Sequence, residues 1–570
     1  MKLSVLFFLN FLFSISLVSQ QAYNSYDFRS PLGIPLLLSG NFAELRSNHF
    51  HTGIDVKTNG SSGYRIYAVD SGYVSRINIS HWGYGKAIYI DHPNGFTSVY
   101  GHLSKFSEKI DALIKTAQYK QQSEVVTIYL DSLDMVVSKG EVVALSGNSG
   151  SSMGPHLHFE LRETVTEQPV NPLLFNFNVK DNIPPLIYNV KFYPFGKSVI
   201  NKTQTNHLKS VVKSKEGYTL KDKVSAFGEI GLGLHTIDKL NGSNNICGIF
   251  SIKLFVNDTL HYFQEMEKLD FSTNRYINTY KDYKEHKKNK RSIHKSFVSE
   301  NNDLKIYKKL INNGKVIISQ NKDYDIKYVV KDVAGNISEL AFKIHGDSSQ
   351  LDFYKPIINK QQLNAVTKQD SLITAQMAAF FPEKSLYQKE NIKLSSTDYP
   401  LAQTSLISIM NQDIPLQKKF ILKLKLKDSS IVCNDKAVVV SVSDDLKKVV
   451  SKGGTCNDGW MTVNLKSFGN FTVLIDSINP VIKSINLLKG TSIKSLKYLH
   501  FKISDNLSGI KSYNVFLDDR WVLANYSPKS SNLKVYAKEW VYLKKGNHVC
   551  KVEIIDERGN VAIKKIEISY

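Results

Sequence analysis

A mainly β protein of several domains is what the 570-residue sequence predicts, and three features carry that expectation. Short runs of β-branched and aromatic residues alternate with glycine-, asparagine- and proline-containing turns along most of the chain. Tyrosine and phenylalanine are abundant, 29 of each, and both suit a pleated, half-buried surface. The length implies several cores, at roughly 100–200 residues per domain. The expected architecture is an antiparallel β-sandwich or barrel at the N-terminal end, followed by two or three β-sandwich modules.

In chain order, residues 1–20 read as an export signal. Lys2 supplies a short positive region, residues 3–18 are an almost unbroken apolar run, and Ser19, Gln20, Gln21 and Ala22 offer small or polar residues near a cleavage point. A single N-terminal membrane anchor is the alternative, with a run slightly short for a span. No cysteine near that point suggests a lipid anchor, and no later segment is apolar enough to cross a bilayer.

The first domain is expected over residues 21–180. Strand-like runs at 66–69, 72–77, 87–90 and 97–100 are separated by turns, and Asn94-Gly95 is the strongest hairpin cue. His92 in that turn, and His49 and His81 elsewhere, read as structural or surface residues. Residues 104–138 make a long connection. Ile110, Leu113 and Ile114 have helical spacing there, and residues 125–130 read as a strand. The connection either walls a groove or embellishes the surface. The domain closes at Pro169-Val170-Asn171-Pro172-Leu173.

Beyond it a repeat shows. Asp181-Asn182-Ile183-Pro184-Pro185 is echoed by Asp476-Ser477-Ile478-Asn479-Pro480. Residues 251–258 (SIKLFVND) parallel 512–519 (SYNVFLDD), and Asp332-Val333-Ala334-Gly335-Asn336 matches Asp556-Glu557-Arg558-Gly559-Asn560. The common order predicts two related β-sandwich modules at 181–347 and 476–570, with a third β-rich region at 348–475 that offers no chemistry. The two related modules resemble the immunoglobulin-like modules of bacterial surface and periplasmic proteins. The first copy carries a basic run at 281–295, expected as a solvated loop or, alternatively, a contact for an anionic polymer.

With 42% apolar and 22% charged residues, wholesale disorder is excluded. The net charge of +21 favours polyanionic surroundings, whether nucleic acid, an anionic membrane face or cell-wall polymer. No arginine–aromatic signature accompanies it, so nucleic acid is not an expected partner. Cys247, Cys433, Cys456 and Cys550 are too few for a disulfide scaffold, although Cys433 and Cys456 fall in one region and could pair. None has zinc-finger spacing.

Candidate chemistry centres on Gly154-Pro155-His156-Leu157-His158-Phe159-Glu160. Period two on a strand points His156 and His158 one way and Leu157 and Phe159 into the opposite, apolar layer. Two imidazoles on a rigid strand suit zinc, while a pair of surface histidines is the plain alternative. Upstream, His51 and Asp55 are four apart around Gly53, whose backbone freedom allows a sharp turn between them. His102 lies in Tyr100-Gly101-His102-Leu103, between the two segments. Together with the glycine-rich 146–154 run and Gly72-Tyr73-Val74, these motifs resemble the lysostaphin/LytM-type zinc endopeptidases over residues 27–175. The resemblance implies a zinc ion (Zn2+) on His51, Asp55 and His158, with His102 and His156 as catalytic histidines. It also implies cleavage of peptide cross-links in bacterial peptidoglycan.

Three protein ligands leave one open zinc position, the arrangement of a catalytic site. No His-Glu-x-x-His helix is present, so a glutamate-based mechanism is not indicated. The reading is an exported enzyme of a bacterial periplasm or envelope, with peptidoglycan peptides as substrate and other envelope proteins as further partners through the β-modules. The alternatives are a non-catalytic wall-binding or hydrolase-activating scaffold, and an adhesive protein with a passenger enzyme. Because all five site residues precede residue 160, the chemistry is expected within residues 27–180, with the tail tuning location, access or partners.

Overall fold

A computed structural model describes Tyr23 and residues 25–356, 362–427 and 435–570. The export-type segment and Cys433 lie outside these residues. The chain divides into two compact units, one of residues 1–78, 82–111 and 127–358 and one of residues 79–81, 112–126 and 359–570. Both are built mainly of β-strands, as the sequence predicts. No helix among the described residues is long and apolar enough to cross a membrane.

Strands β1 (Leu38–Gly40), β2 (Ile54–Lys57), β3 (Arg65–Tyr67), β4 (Gly72–Ile79), β5 (Lys86–Asp91), β6 (Phe96–Gly101) and β7 (Lys105–Phe106) precede helix α1 (Glu108–Gln121), most of which groups with the second unit. Strands β8 (Val126–Tyr129), β9 (Val136–Val137), β10 (Val142–Leu145), β11 (His156–Glu163) and β12 (Pro169–Val170) follow. A nine-stranded sheet runs β1-β2-β11-β6-β5-β4-β8, with β12 on β11 and β9 on β4, and β3, β10 and β7 form a second sheet. The central strand β11 lies antiparallel to both β2 and β6. The fully buried Leu157 and Phe159 set its orientation, with Phe159 against Tyr100 and Phe177 at ring distances of 5.4 Å. Burying Phe159 alone contributes roughly 2–3 kcal/mol, so a one-residue slip that turned this face outward is strongly disfavoured.

The rest of the first unit is a twelve-stranded sheet around one core that includes Phe192, Leu232, Leu254, Tyr328 and Leu340. Its long strand Val224–Ile237 pairs antiparallel with Leu186–Pro194 and parallel with Ile337–Gly346, which closes part of the sheet on itself. The basic 281–295 run is not a loop throughout. Asp282 caps a helix at Tyr283–Asn289, Lys290 ends it in a left-handed turn, and Ile293–Lys295 is a strand.

In the second unit, strands between Asp370 and Ile475 form two five-stranded sheets around a core with Phe381, Phe420 and Phe471. Strands between Val481 and Ser569 form a four- and a five-stranded sheet over Leu499, Val515, Trp540 and Val552. Residues 79–81 and 112–126 group with this unit. There Glu124 accepts hydrogen bonds from Tyr513 Oη (2.5 Å), Asn525 Nδ2 (2.9 Å) and the Tyr526 N–H (2.7 Å), and His81 Nε2 lies 3.1 Å from it. His81 is thus structural.

The sequence repeat has a geometric counterpart. Strands Ser251–Val256 and Ile510–Leu517 each run into a two-residue turn with positive φ at both positions, Asn257-Asp258 (47° and 61°) and Asp518-Asp519 (48° and 61°). Both are the tight turns that match strand twist, and asparagine and aspartate tolerate them.

Candidate metal centre

His158 on β11 pairs in register with Asp55 on β2, and His51 enters from the turn before β2. Gly53 serves that turn by size: a Cβ there would lie 2.3 Å from the Phe159 carbonyl oxygen on β11. His51 Nε2, Asp55 Oδ1 and His158 Nδ1 converge, 3.1 Å apart for each imidazole contact of His51 and 2.9 Å for His158 with Asp55. All three residues are buried.

Each outward-facing nitrogen is already occupied. His51 Nδ1 lies 2.7 Å from the Asn41 carbonyl, which only accepts, so this nitrogen carries the proton and Nε2 keeps its lone pair for the cluster. His158 Nε2 lies 2.8 Å from Glu160 Oε1, which directs the Nδ1 lone pair inward in the same way. Three acceptor atoms then face one another, and such an arrangement requires a cation between them. Two imidazoles and a carboxylate fit a borderline divalent metal such as zinc, with ligand atoms at about the separation that a tetrahedral site needs. Without a metal a proton takes that place. Burial opposes it, but hydrogen bonds and charge from Asp55 and Glu160 push the His158 imidazolium up to about 9. Burial instead lowers His51, despite the favourable Asp55 carboxylate.

Glu160 anchors a wider network. It accepts from Thr52 Oγ1 and Tyr84 Oη at 2.6 Å and pairs with Arg162 at 2.7 Å. Arg46 pairs with the other Asp55 oxygen at 2.9 Å.

His102 and His156 stand beside the cluster, with ring centroids 4.7 Å apart. His156 Nδ1 is held by the Gly154 carbonyl at 2.8 Å, and its Nε2 lies 3.4 Å from Asp55 Oδ1. His102 Nδ1 is held by the Ser149 carbonyl at 2.9 Å, leaving Nε2 as the acceptor. His102 has φ of +60°, a left-handed conformation that non-glycine residues hold only when their surroundings enforce it. Burial and the neighbouring His158 and His156 push its imidazolium down to about 3, so it is neutral near pH 7.

The five predicted residues line a single groove of about 980 Å³. His49, read from sequence as a structural or surface residue, lines it too. So does Met153 at the tip of the glycine-rich loop, fully exposed. Phe271, Asn274 and Arg275, well beyond residue 180, line the groove as well. Asn274 Oδ1 accepts from the Phe50 N–H (2.6 Å) directly before His51, and Lys281 donates to the carbonyls of Arg46 (2.5 Å) and Ser47 (3.2 Å). Lys281 is fully buried, and burial pushes its ammonium down to about 7.

Sequence reasoning missed Glu160, Asn41 and Asn274. Glu160 had a signal, since it shares the period-two face of His156 and His158. The Asn41 contact is made by its backbone carbonyl, and Asn274 acts from a short 3-10 helix 224 residues beyond Phe50, so neither left one.

Fold and cluster together define a β-rich protein with a buried histidine–aspartate group that could hold a metal ion. Residues 49–119 match the model of Peptidase family M23, which includes His51, Asp55 and His102, and the chain carries a domain of that family. Residues 361–476 match a Zu5-like domain. An uncharacterized metalloprotease of Haemophilus influenzae is 33% identical over 22% of this chain and 20% of its own length. The peptidoglycan DD-endopeptidase ShyA of Vibrio cholerae is 28% identical over 28% of this chain and 25% of its own. The catalytic domain of the prophage-encoded M23 protein EnpA from Enterococcus faecalis, solved as a mutant, is 28% identical, with 25% of this chain and 95% of that one covered and a TM-score of 0.19. The chain thus matches about a quarter or less of the curated relatives' length.

Proposed function

We propose that this chain is an exported, zinc-dependent endopeptidase that hydrolyses peptide cross-links of bacterial peptidoglycan in the periplasm or envelope. In this reading His51, Asp55 and His158 hold zinc, and His102 and His156 are the catalytic histidines. Residues 21–180 form the enzyme domain, and modules at 181–347, 348–475 and 476–570 follow, the first and last immunoglobulin-like. The observation that carries the reading is the convergence of His51 Nε2, Asp55 Oδ1 and His158 Nδ1 on one point of the groove, with both further histidines beside it. The M23 match and the metalloprotease and endopeptidase relatives support it, and the charge of +21 suits an anionic wall.

Zinc bound there supplies a Lewis acid for the scissile carbonyl and brings the pKa of a bound water to about 7. The chain's own residues do the rest. His102 and His156 each have Nδ1–H tied to a backbone carbonyl, so each offers Nε2 to a reacting proton. Between them they accept the proton of the attacking water and return one to the leaving amine. Phe271, Asn274 and Arg275 shape one side of the groove in which the peptide lies.

The test is digestion of purified cross-linked muropeptides by the zinc-loaded protein, followed by mass. Each cross-linked dimer should fall to two monomers, one with a new amine and the other with a new carboxylate, and chelation should stop the conversion. Intact dimers beside folded, zinc-loaded protein would reject the enzyme and favour the wall-binding scaffold.

A further inference from the structure

Two further clusters of ligand-type side chains lie outside the groove, and neither is used by the chemistry above. Asp181, Asp238 and Asp332 bring carboxylate oxygens within 4.8 Å of one another, and so do Asp476, Asp505 and Asp556. The first cluster lies in the first unit and the second in the second.

The two are copies of one arrangement. Asp181 and Asp476 open the repeated segments before strands Leu186–Pro194 and Val481–Ser484. Asp238 and Asp505 directly follow strands Val224–Ile237 and Tyr498–Ser504, each as the first residue of an Asp-x-Leu-x-Gly segment. Asp332 and Asp556 begin the two Asp-x-x-Gly-Asn turns. The asparagine of each turn does the same work twice. Asn336 Nδ2 donates to Asp332 Oδ2 (2.8 Å) and to the Asp181 carbonyl (3.5 Å), and Asn560 Nδ2 donates to Asp556 Oδ2 (2.7 Å) and the Asp476 carbonyl (2.9 Å).

What sets these clusters apart from ordinary acidic turns is what is left unmade. Asp238 and Asp476 are each only 1% exposed, yet Oδ1 of each is buried with no hydrogen-bond partner. Asp505 Oδ1 is buried and unpartnered as well. None of the six aspartates has an ion-pair partner within 4 Å among the described residues. Three carboxylates packed this closely cannot all be ionised without a compensating positive charge, and a buried, unpaired carboxylate oxygen is costly. In the first cluster the strain shows: burial and the neighbouring carboxylates push Asp238 up to about 8, and burial with Asp332 pushes Asp181 up to about 6.

We propose that each three-aspartate cluster is a calcium site, one at the corresponding end of each of the two related β-modules. The donor set selects the ion class, because all-oxygen, carboxylate-rich sites favour hard cations over zinc. Oxygens gathered from three separate loops suit the flexible coordination of calcium better than the strict octahedron of magnesium. Bound calcium would tie together the segment entering each module and two of its interstrand turns.

The test uses the full chain, stripped of metal and reloaded with zinc, and titrates Ca2+ calorimetrically. Two Ca2+ per chain should bind beyond the zinc, with dissociation constants of roughly 10⁻⁴–10⁻³ M as in extracellular modules. Asp238→Asn and Asp505→Asn should each weaken one of the two equivalents at least ten-fold while leaving the other. Both variants relieve repulsion in an isosteric way, so unchanged circular dichroism and zinc content serve as folding controls. Absence of Ca2+ binding by the wild-type chain at 10-fold above that range overturns the proposal without any variant. Two unweakened equivalents in both variants overturn it as well.

Discussion

The His51–Asp55–His158 cluster and the Asp181–Asp238–Asp332 cluster each bring three ligand atoms within 4.8 Å of one another, and they differ in the features that choose a cation. In the first, one carboxylate stands with two imidazoles, and every nitrogen turned away from the cluster is held by Asn41 O or Glu160. That outer layer fixes each tautomer and leaves three lone pairs aimed at one point. In the second, three carboxylates stand together and Asp238 Oδ1 has no partner at all. The histidine cluster is pre-oriented for a borderline metal whose bonds are directional, whereas the aspartate cluster stores repulsion that any hard cation relieves. Cluster size says that an ion fits; donor type and the outer layer say which ion, and whether it is there for chemistry or for structure.

The largest effect that would break this contrast is loss of the first cluster's ligands. His51→Ala or His158→Ala should drop zinc content from about one per chain to under a tenth, because three protein ligands are the minimum for such a site. Calcium binding should persist, and full zinc retention in either variant would refute the assignment. Next come the histidines beside the cluster. His102→Ala and His156→Ala should retain zinc while cleavage of muropeptides slows by roughly 10²–10⁴-fold, the range for general acid–base groups. An empty metal site in either would move that residue among the ligands.

The outer layer is tested by Glu160→Gln, which keeps shape but removes the charge facing His158 and Arg162. Zinc affinity should fall by roughly 10–100-fold in a competition titration with a chelator. Unchanged affinity would mean that the layer does not tune the metal. The aspartate cluster is tested by pH. A carboxylate whose folded pKa is raised contributes stability below its unfolded pKa, near 4, and loses it as pH rises through the folded value. With Asp238 near 8, metal-free wild type should lose stability between about pH 4 and 8 relative to Asp238→Asn, measured by denaturant unfolding. Saturating Ca2+ should cancel that loss. Parallel pH curves in the metal-free proteins would remove the premise of repulsion.

The smallest expected effect asks whether the two clusters communicate. The Asp238 and Cys247 backbones exchange two hydrogen bonds, Gly248 exchanges two with the Asn41 side chain, and the Asn41 carbonyl holds His51. Calcium removal should therefore weaken zinc binding several-fold, at the low end of usual coupling energies. Identical zinc affinity with and without Ca2+ would show that the two sites are independent.

By itself the sequence determined the mainly β class, the facing of β11, the order of the repeated segments and, through the resemblance of its motifs to a known family, the five histidine and aspartate positions that meet in the groove. The five site positions rest on motifs that resemble that family, whereas the class and the facing of β11 rest on local rules, period two and glycine or asparagine in turns. The helix cue at Ile110, Leu113 and Ile114 was of the same kind, and α1 is there. The basic 281–295 run misled because charge pattern alone does not reveal the Asp282 cap or the burial of Lys281. Only the tertiary structure decided that Asn274 and Lys281 grip the loop before His51, that Phe271 and Arg275 finish the groove, and that six aspartates meet in two groups of three. These contacts join residues far apart in the chain through sheets that must first form. Their partners are set by which strands pair and which faces pack, and no local pattern carries that information.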